Sequence, residues 1–476
     1  MKAIISIKQK IQQNYTPLVL FKSIDALNEF RLNKNEIQYI KQKIKDNKQQ
    51  IIINRYPNYL FLYHYKKAKT KSDDLENLRK AAASSLSKIL EETKLRKVQV
   101  IDFLHEKECF YAFTEGVILA DYQFTQLKSK KKDEQLQEIA IYSKKLKQAD
   151  ISKLNHIAEA VYLSRDLVNL PVSALPTPAF AKIIAEKAEE SGIKVEIFGK
   201  KKLQSLKMGG ILSVNQGSID PPFLACLEWK PKNTTNKKPI VLVGKGIVYD
   251  TGGLNIKTGS SMEDMKCDMA GAAAVLATIY AIAKLQLNKY VVALIPATDN
   301  RLNGNAYASG DVVKMFDGTT VEVINTDAEG RIILADALAY AKKYDPELLI
   351  DVATLTGAAQ RAIGSYGIVA MEEKAKTPMK NLKISGDYVY ERIAEFPFWS
   401  EYEESLQSDI ADIKNLGGAE AGMITAGKFL AKFTDYPYIH LDIAGPAFLS
   451  KTDSYRKKGG TGIPTRLLID FIEKNF

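Results

Sequence analysis

Two short stretches of this sequence hold most of its chemically capable side chains. The first, Val321 to Asp336 (VEVINTDAEGRIILAD), opens with β-branched residues at strand spacing. It closes with Ile332, Ile333, Leu334, Ala337 and Leu338 at helical spacing. Asp327, Glu329 and Arg331 fall in the turn between. Carboxylates just past a strand's C-terminal end occupy the place where open α/β sheets put their chemistry. A capped helix accounts for that turn equally well, with Asp327 as N-cap and Glu329 beside the helix's positive end. The second stretch, Val241 to Ala274, reads VLVGKGIVYDTGGLNIKTGSSMEDMKCDMAGAAA. It carries Lys245, Asp250, Lys257 and Asp268 among glycines that permit close backbone approach. Each of these residues alone reads as a surface charge. Brought together, four carboxylates repel unless cations neutralise them, and carboxylate oxygens suit hard or borderline divalent ions. Two such ions would also activate a bridging water for hydrolysis. The histidines, His64, His105, His156 and His440, form no HExxH pair, which excludes a zincin.

Further motifs accompany these two: RDLVNLP (Arg165 to Pro171), MGGILSVNQGS (Met208 to Ser218), DVATLTGA (Asp351 to Ala358) and HLDIAGPAF (His440 to Phe448). With NTDAEGR (Asn325 to Arg331), GKGIVYDTGGLNIK (Gly244 to Lys257) and MKCDMAGAAA (Met265 to Ala274), the chain resembles the leucyl aminopeptidases of the M17 cytosol aminopeptidase family. The resemblance spans essentially everything after residue 155. It implies a hydrolase that removes the N-terminal residue of a peptide, leucine- or methionine-like residues preferred. It implies that Asp250, Asp327 and Glu329 hold one divalent ion, with the Asp327 carbonyl. Lys245, Asp250, Asp268 and Glu329 hold the other. A lysine ligand must be neutral, which adjacent metal charge can achieve. Zn2+ and Mn2+ are the expected ions, with Mg2+ or Co2+ as alternatives. Lys257 stays charged and stabilises an oxyanion. Arg331, with its planar fork, holds bicarbonate as proton shuttle.

Met265, Thr354, Leu355, Gly357, Ala444 and Ala447 line the side-chain pocket by the same resemblance, and are mostly small or apolar. Met265 fits a core position equally well, and His440 reads as a packing residue. The family forms homohexamers, with catalytic portions central and N-terminal domains outside. Two departures from the family pattern stand out: Asp299-Asn300 where Glu-Asn is usual, and Ser309-Gly310-Asp311 where Pro-Gly-Asp is usual. Neither falls on a ligand position.

A chain of 476 residues is too long for one ordinary core. The expected fold is α/β: a small N-terminal α/β domain over 1–150, then a catalytic domain over 151–476 with a mainly parallel sheet flanked by helices. In the first domain, residues 51–56, 59–65 and 97–103 read as strands and 75–93 as a helix. Residues 112–124 read as further sheet edges, and Lys128 to Asp133 as a charged loop. A linking helix is expected over about 150–165.

With 46% hydrophobic and 26% charged residues, the composition is that of a soluble globular protein. No run approaches eighteen apolar residues, so no membrane span is expected. The N-terminus interrupts its apolar residues with lysines and offers no signal-peptide cleavage site. Three scattered cysteines, Cys109, Cys226 and Cys267, make no disulfide framework. These features point to the cytoplasm. Residues 1–150 carry 29 Lys and Arg against 18 Asp and Glu, while the remainder balances at 38 of each. The whole net charge of +11 therefore lies in the first third. Such asymmetry admits a DNA-binding regulator as the alternative function, and a solvated lysine-rich surface is the favoured reading. A two-metal phosphoesterase suits the carboxylates but not a lysine ligand.

Overall fold

The computed structural model describes residues 3–130 and 135–476. The chain forms two compact units. One is Met1–Ala158 with Lys451–Lys458; the other is Glu159–Ser450 with Gly459–Phe476. The helix Gln148–Asn169 carries the chain from the first unit to the second.

The first unit contains strands β1 (Ile4–Ile7), β2 (Thr16–Phe21), β3 (Gln50–Arg55), β4 (Asn58–His64), β5 (Lys97–Phe103) and β6 (Glu138–Tyr142). They lie in the order β1-β6-β5-β2-β4-β3, parallel except for the β3/β4 hairpin. The helix Lys71–Glu92 matches the periodicity over 75–93. The expected sheet edges over 112–124 are instead the helix Lys107–Ala120. A continuous apolar run such as FTEGVILA has no decisive period, so packing settles its form. Here it packs against the Lys71–Glu92 helix. A Cβ on Gly116 would stand 2.4 Å from the Arg79 carbonyl oxygen, and buried Glu115 accepts the Arg79 Nε–H at 2.6 Å. Lys128 to Lys130 are exposed and irregular; the rest of the expected charged loop, Lys131 to Asp133, lies outside the described residues.

The second unit is built on a nine-stranded sheet. Its strands are β7 (Lys194–Gly199), β8 (Phe223–Trp229), β9 (Ile240–Gly244), β10 (Gly246–Asp250), β11 (Val291–Asn300), β14 (Leu348–Ala353), β15 (Ile368–Glu373), β16 (Ile393–Glu395) and β18 (Tyr438–Asp442). The remaining numbers belong to a small separate sheet, β12 (Val312–Lys314), β13 (Thr320–Glu322) and β17 (Ile413–Lys414). The large sheet runs β16-β15-β18-β14-β9-β11-β8-β7, with β10 also on β11. Pairing is parallel through its centre, from β18 through β14 and β9 to β11, as expected. Helices cover both faces, so β9 and β11 are buried along their whole length and read as near-continuous apolar runs.

One break in this regularity positions the chemistry. β11 pairs with β9 through Val291–Leu294 and with β10 through Ala297–Asn300. The chain jogs between β9 and β10, and Lys245 stands at the jog with its N–H on the Val352 carbonyl. The helix Ala270–Lys284 packs tightly behind it. A Cβ on Gly271 would stand 2.0 Å from the Val352 carbonyl oxygen. Gly271→Ala is therefore expected to destabilise the fold by at least ~1–3 kcal/mol through overpacking. A urea midpoint equal to that of the wild type would contradict this close approach. The stretch Gly259–Lys284 is long and apolar enough to cross a membrane by length and composition, but 89% of that window is buried inside the fold. It comprises two 3-10 turns, Gly259–Met262 and Met265–Cys267, and the buried core helix Ala270–Lys284.

Candidate active site

The turn at Asp327 shows how sequence becomes site. β13 leads into a single 3-10 turn, Thr326–Ala328, and then into the helix Glu329–Ala341. The Asn325 side chain accepts the Asp327 N–H at 2.7 Å. Asn325 therefore caps the 3-10 turn, the helix Glu329–Ala341 has Ala328 at its N-cap position with no side-chain cap, and the Asp327 carboxylate faces Lys257 at 2.5 Å. Lys257 Nζ also lies 2.8 Å from Asp250 Oδ2, the last residue of β10. Lys245 Nζ lies 2.8 Å from Asp268 Oδ1 and 2.9 Å from Glu329 Oε1, and donates to the Thr354 carbonyl at 3.0 Å. One carboxylate oxygen from each of Asp250, Asp327 and Glu329 lies within 4.8 Å of the others. Lys245, Asp250, Lys257, Asp268, Asp327 and Glu329 thus form one cluster. Two glycines make room for it. Gly330 leaves space for Lys245, whose Cε would stand 2.3 Å from an added Cβ. Gly252, at φ +87°, turns the chain after β10 beside Asp327.

Arg331 occupies the first turn of the Glu329–Ala341 helix. It is buried, and its Nη1 donates to the Asn415 carbonyl at 2.7 Å. Among the pocket residues, Thr354 is held to the cluster by its hydroxyl, which donates to Asp268 Oδ1 at 2.9 Å. Leu355 and Ala444 converge through their N–H groups on Asp442 Oδ1, at 3.2 and 3.1 Å. Met265 is half-buried, one 3-10 turn before Asp268. Gly357 is exposed at the start of the helix Gly357–Ile363, while Ala447 is buried in the hydrophobic core. His440 is fully buried with Nδ1 2.8 Å from Asp351 Oδ1. Asp299 pairs with Arg301, and the Ser309 hydroxyl donates to Asn255 Oδ1 at 3.0 Å.

Several residues support the cluster in roles that the sequence did not mark. Asn300 Nδ2 donates to Asp250 Oδ1 at 2.9 Å and to the Thr326 carbonyl at 3.0 Å. Asn255 Oδ1 accepts the Thr326 N–H at 2.8 Å, and the Thr326 hydroxyl donates to the Gly252 carbonyl at 2.6 Å. These bonds lock the loop after β10 to the turn that carries Asp327. Asp442 also accepts the Thr356 hydroxyl at 2.7 Å. Asn300 and Asp442 each end a buried, largely apolar strand, and that position is the signal that marks them.

The electrostatics follow from crowding charges away from water. Burial pushes Asp268 up to about 6, with Lys245 pulling the other way. Burial and then the nearby Asp250 hold Glu329 well above the usual carboxylate range, and raise Asp327 in the same direction. For Lys245, burial opposes the charge, but Asp268, Glu329 and Asp250 outweigh it and hold the pKa above the ordinary lysine value. Lys257 is raised in the same way, against burial, by Asp250, Glu329 and Asp327. Burial lowers Arg331 to about 10. Asp268 Oδ2 and Glu329 Oε2 are buried without a hydrogen-bond partner among the described residues. Buried carboxylate oxygens left so are costly, and a bound cation satisfies them. The donor set therefore fits divalent ions.

Residues 162–469 match the catalytic domain of the cytosol aminopeptidase family. A probable cytosol aminopeptidase of Chlorobium phaeobacteroides is 43% identical over 377 residues, covering 76% of this chain and 74% of that protein. One of Chlorobaculum tepidum is 44% identical, covering 75% and 74%. Among solved structures, the bottromycin maturation enzyme BotP in complex with Mn superposes with a TM-score of 0.82 at 27% identity, over 99% of each chain. The DNA-binding alternative gains no support from these likenesses.

Proposed function

The chain belongs to the cytosol aminopeptidase family, and from that premise we propose that its buried cluster is a two-metal site for release of N-terminal residues from peptides. One observation carries this reading: the oxygens of Asp250, Asp327 and Glu329 converge within 4.8 Å, with Lys245 and Lys257 among them. Asp250, Asp327 and Glu329 would hold one ion. Lys245, Asp250, Asp268 and Glu329 would hold the other. Zn2+ and Mn2+ are the favoured ions, with Mg2+ or Co2+ able to substitute; the manganese complex of BotP supports a divalent occupant. When bound, such ions supply Lewis acidity and a water deprotonated near neutral pH.

The chain's own groups do the rest. Lys245 must release its proton to serve as a ligand, so its present ion pairs mark the charge that a metal replaces. Lys257, on the loop after β10, keeps its charge and faces the oxygen of the scissile carbonyl as negative charge develops there. Arg331 Nε has no partner among the described residues, which suits a small anion. Arg331 would hold bicarbonate there, which would supply a proton acceptor that the cluster, without a histidine, lacks.

Met265, Thr354, Leu355, Gly357, Ala444 and Ala447 would shape the pocket for the departing residue's side chain. Their size favours leucine and methionine. In a panel of aminoacyl p-nitroanilides, Leu and Met should exceed Ala in kcat/KM by at least ~10-fold, the discrimination that apolar pockets achieve. A panel led by Asp or Lys would contradict this pocket. The catalytic unit also exposes Leu254, Ile256, Leu302, Val312, Ile324 and Ile410, apolar side chains that subunit contacts would bury. A homohexamer is the proposed assembly; light scattering that gives a monomer for the metal-loaded enzyme would contradict it. The three buried free cysteines fit a reducing, cytoplasmic setting.

A further inference from the structure

We propose that Asn415 is a positioning residue for the reaction, fixing the guanidinium of Arg331; this rests on the aminopeptidase reading above. Asn415 follows β17 directly and is fully buried. Its N–H continues the strand ladder to the Glu322 carbonyl at 2.9 Å. Its side chain then grips the turn ahead of Asp327. Oδ1 accepts the Ile324 N–H at 2.8 Å and the Asn325 N–H at 3.3 Å, and Nδ2 donates to the Asn325 carbonyl at 2.8 Å. These bonds hold the Asn415 peptide in place, and its carbonyl receives Arg331 Nη1 at 2.7 Å. Among the described residues that carbonyl is the guanidinium's hydrogen-bond partner, since Nε has none.

The residue type matters. A short side chain carrying both an acceptor and a donor can bond the N–H and the carbonyl of one peptide-flanked residue at once. Aspartate keeps only the acceptor, and glutamine sets both groups one carbon farther out. The preceding segment is laced to the same strand. Ser408 donates to Glu322 Oε2 at 2.5 Å, and Asp412 accepts both the N–H and the hydroxyl of Thr320 at 2.8 Å. Residues 408–415 therefore act as a splint along β13. Its last residue sets the direction from which Arg331 presents its free edge.

A double-mutant cycle tests this with Asn415→Ala, Arg331→Ala and the double variant, all metal-loaded and assayed on Leu-p-nitroanilide. In the wild-type background Asn415→Ala should lower kcat by about 10–100-fold, with KM within about 3-fold and metal content unchanged. In the Arg331→Ala background the same substitution should cost less than about 3-fold, because the group through which it acts is gone. Equal losses in both backgrounds would overturn the proposal and leave the aminopeptidase reading standing. A metal-loaded wild type that does not hydrolyse the substrate would overturn both. If Asn415→Ala does not fold, Asn415→Asp, which keeps the acceptor but replaces the donor to Asn325 with a charged carboxylate oxygen, carries the same cycle and the same two outcomes.

Discussion

Glu329→Ala should leave a folded protein whose kcat/KM is reduced by at least ~10³, because the side chain belongs to both halves of the site. Its Oε1 lies 2.9 Å from Lys245, on the Asp268 side, while its carboxylate also falls within 4.8 Å of Asp250 and Asp327. No other residue of the cluster except Asp250 is placed to serve both proposed ions. The fold should survive. Glu329 is a buried carboxylate raised well above its ordinary pKa by burial and by Asp250, so its removal relieves repulsion as well as deleting a bond. Elemental analysis should find two divalent ions per chain in the wild type and fewer than one in Glu329→Ala. Asp268→Ala should retain one, since Asp268 stands outside the Asp250, Asp327 and Glu329 group. Two tightly held ions in purified Glu329→Ala would contradict the ligand assignment.

Lys257→Ala should lower kcat by about 10²–10³ while leaving both ions in place, the loss that follows removal of one oxyanion donor. The two effects separate because of where Lys257 sits. It reaches Asp250 and Asp327 from the loop after β10, at 2.8 and 2.5 Å, and keeps its charge through them. It competes with cations for those oxygens, so its removal should not weaken metal retention. What is lost is a positive charge facing the developing oxyanion. A fully metallated Lys257→Ala that turns over like the wild type would remove this role.

Much of the site was legible through the family resemblance that NTDAEGR, GKGIVYDTGGLNIK and MKCDMAGAAA carry. Residue spacing alone put Asp327 and Glu329 in a strand-to-helix turn and Lys245 to Asp268 in a glycine-rich run, where a helix cap and surface charges fitted equally well. The choice between capping and chemistry at Asp327 stayed open for a local reason. Asn325 and Asp327 are both competent caps two residues apart, and only the backbone path shows that Asn325 takes the Asp327 N–H. The helix Lys107–Ala120 was misread because an apolar run without a period fits a strand or a buried helix. Its form depends on the close approach of Gly116 to Arg79, a contact between distant residues. Asn415 and Asn255 escaped notice for the same reason, and Asn300 was noted only as part of a departure from the family pattern. Each works through hydrogen bonds to residues tens of positions away, and no local pattern of residue types records such bonds.

The most direct single measurement is hydrolysis of Leu-p-nitroanilide beside its N-acetylated form, by protein stripped with a chelator and then reloaded with Mn2+ or Zn2+. A two-metal aminopeptidase releases p-nitroaniline only after metal is restored, and only from the substrate with a free amine. Equal rates in the stripped protein, or cleavage of the acetylated substrate, would contradict it.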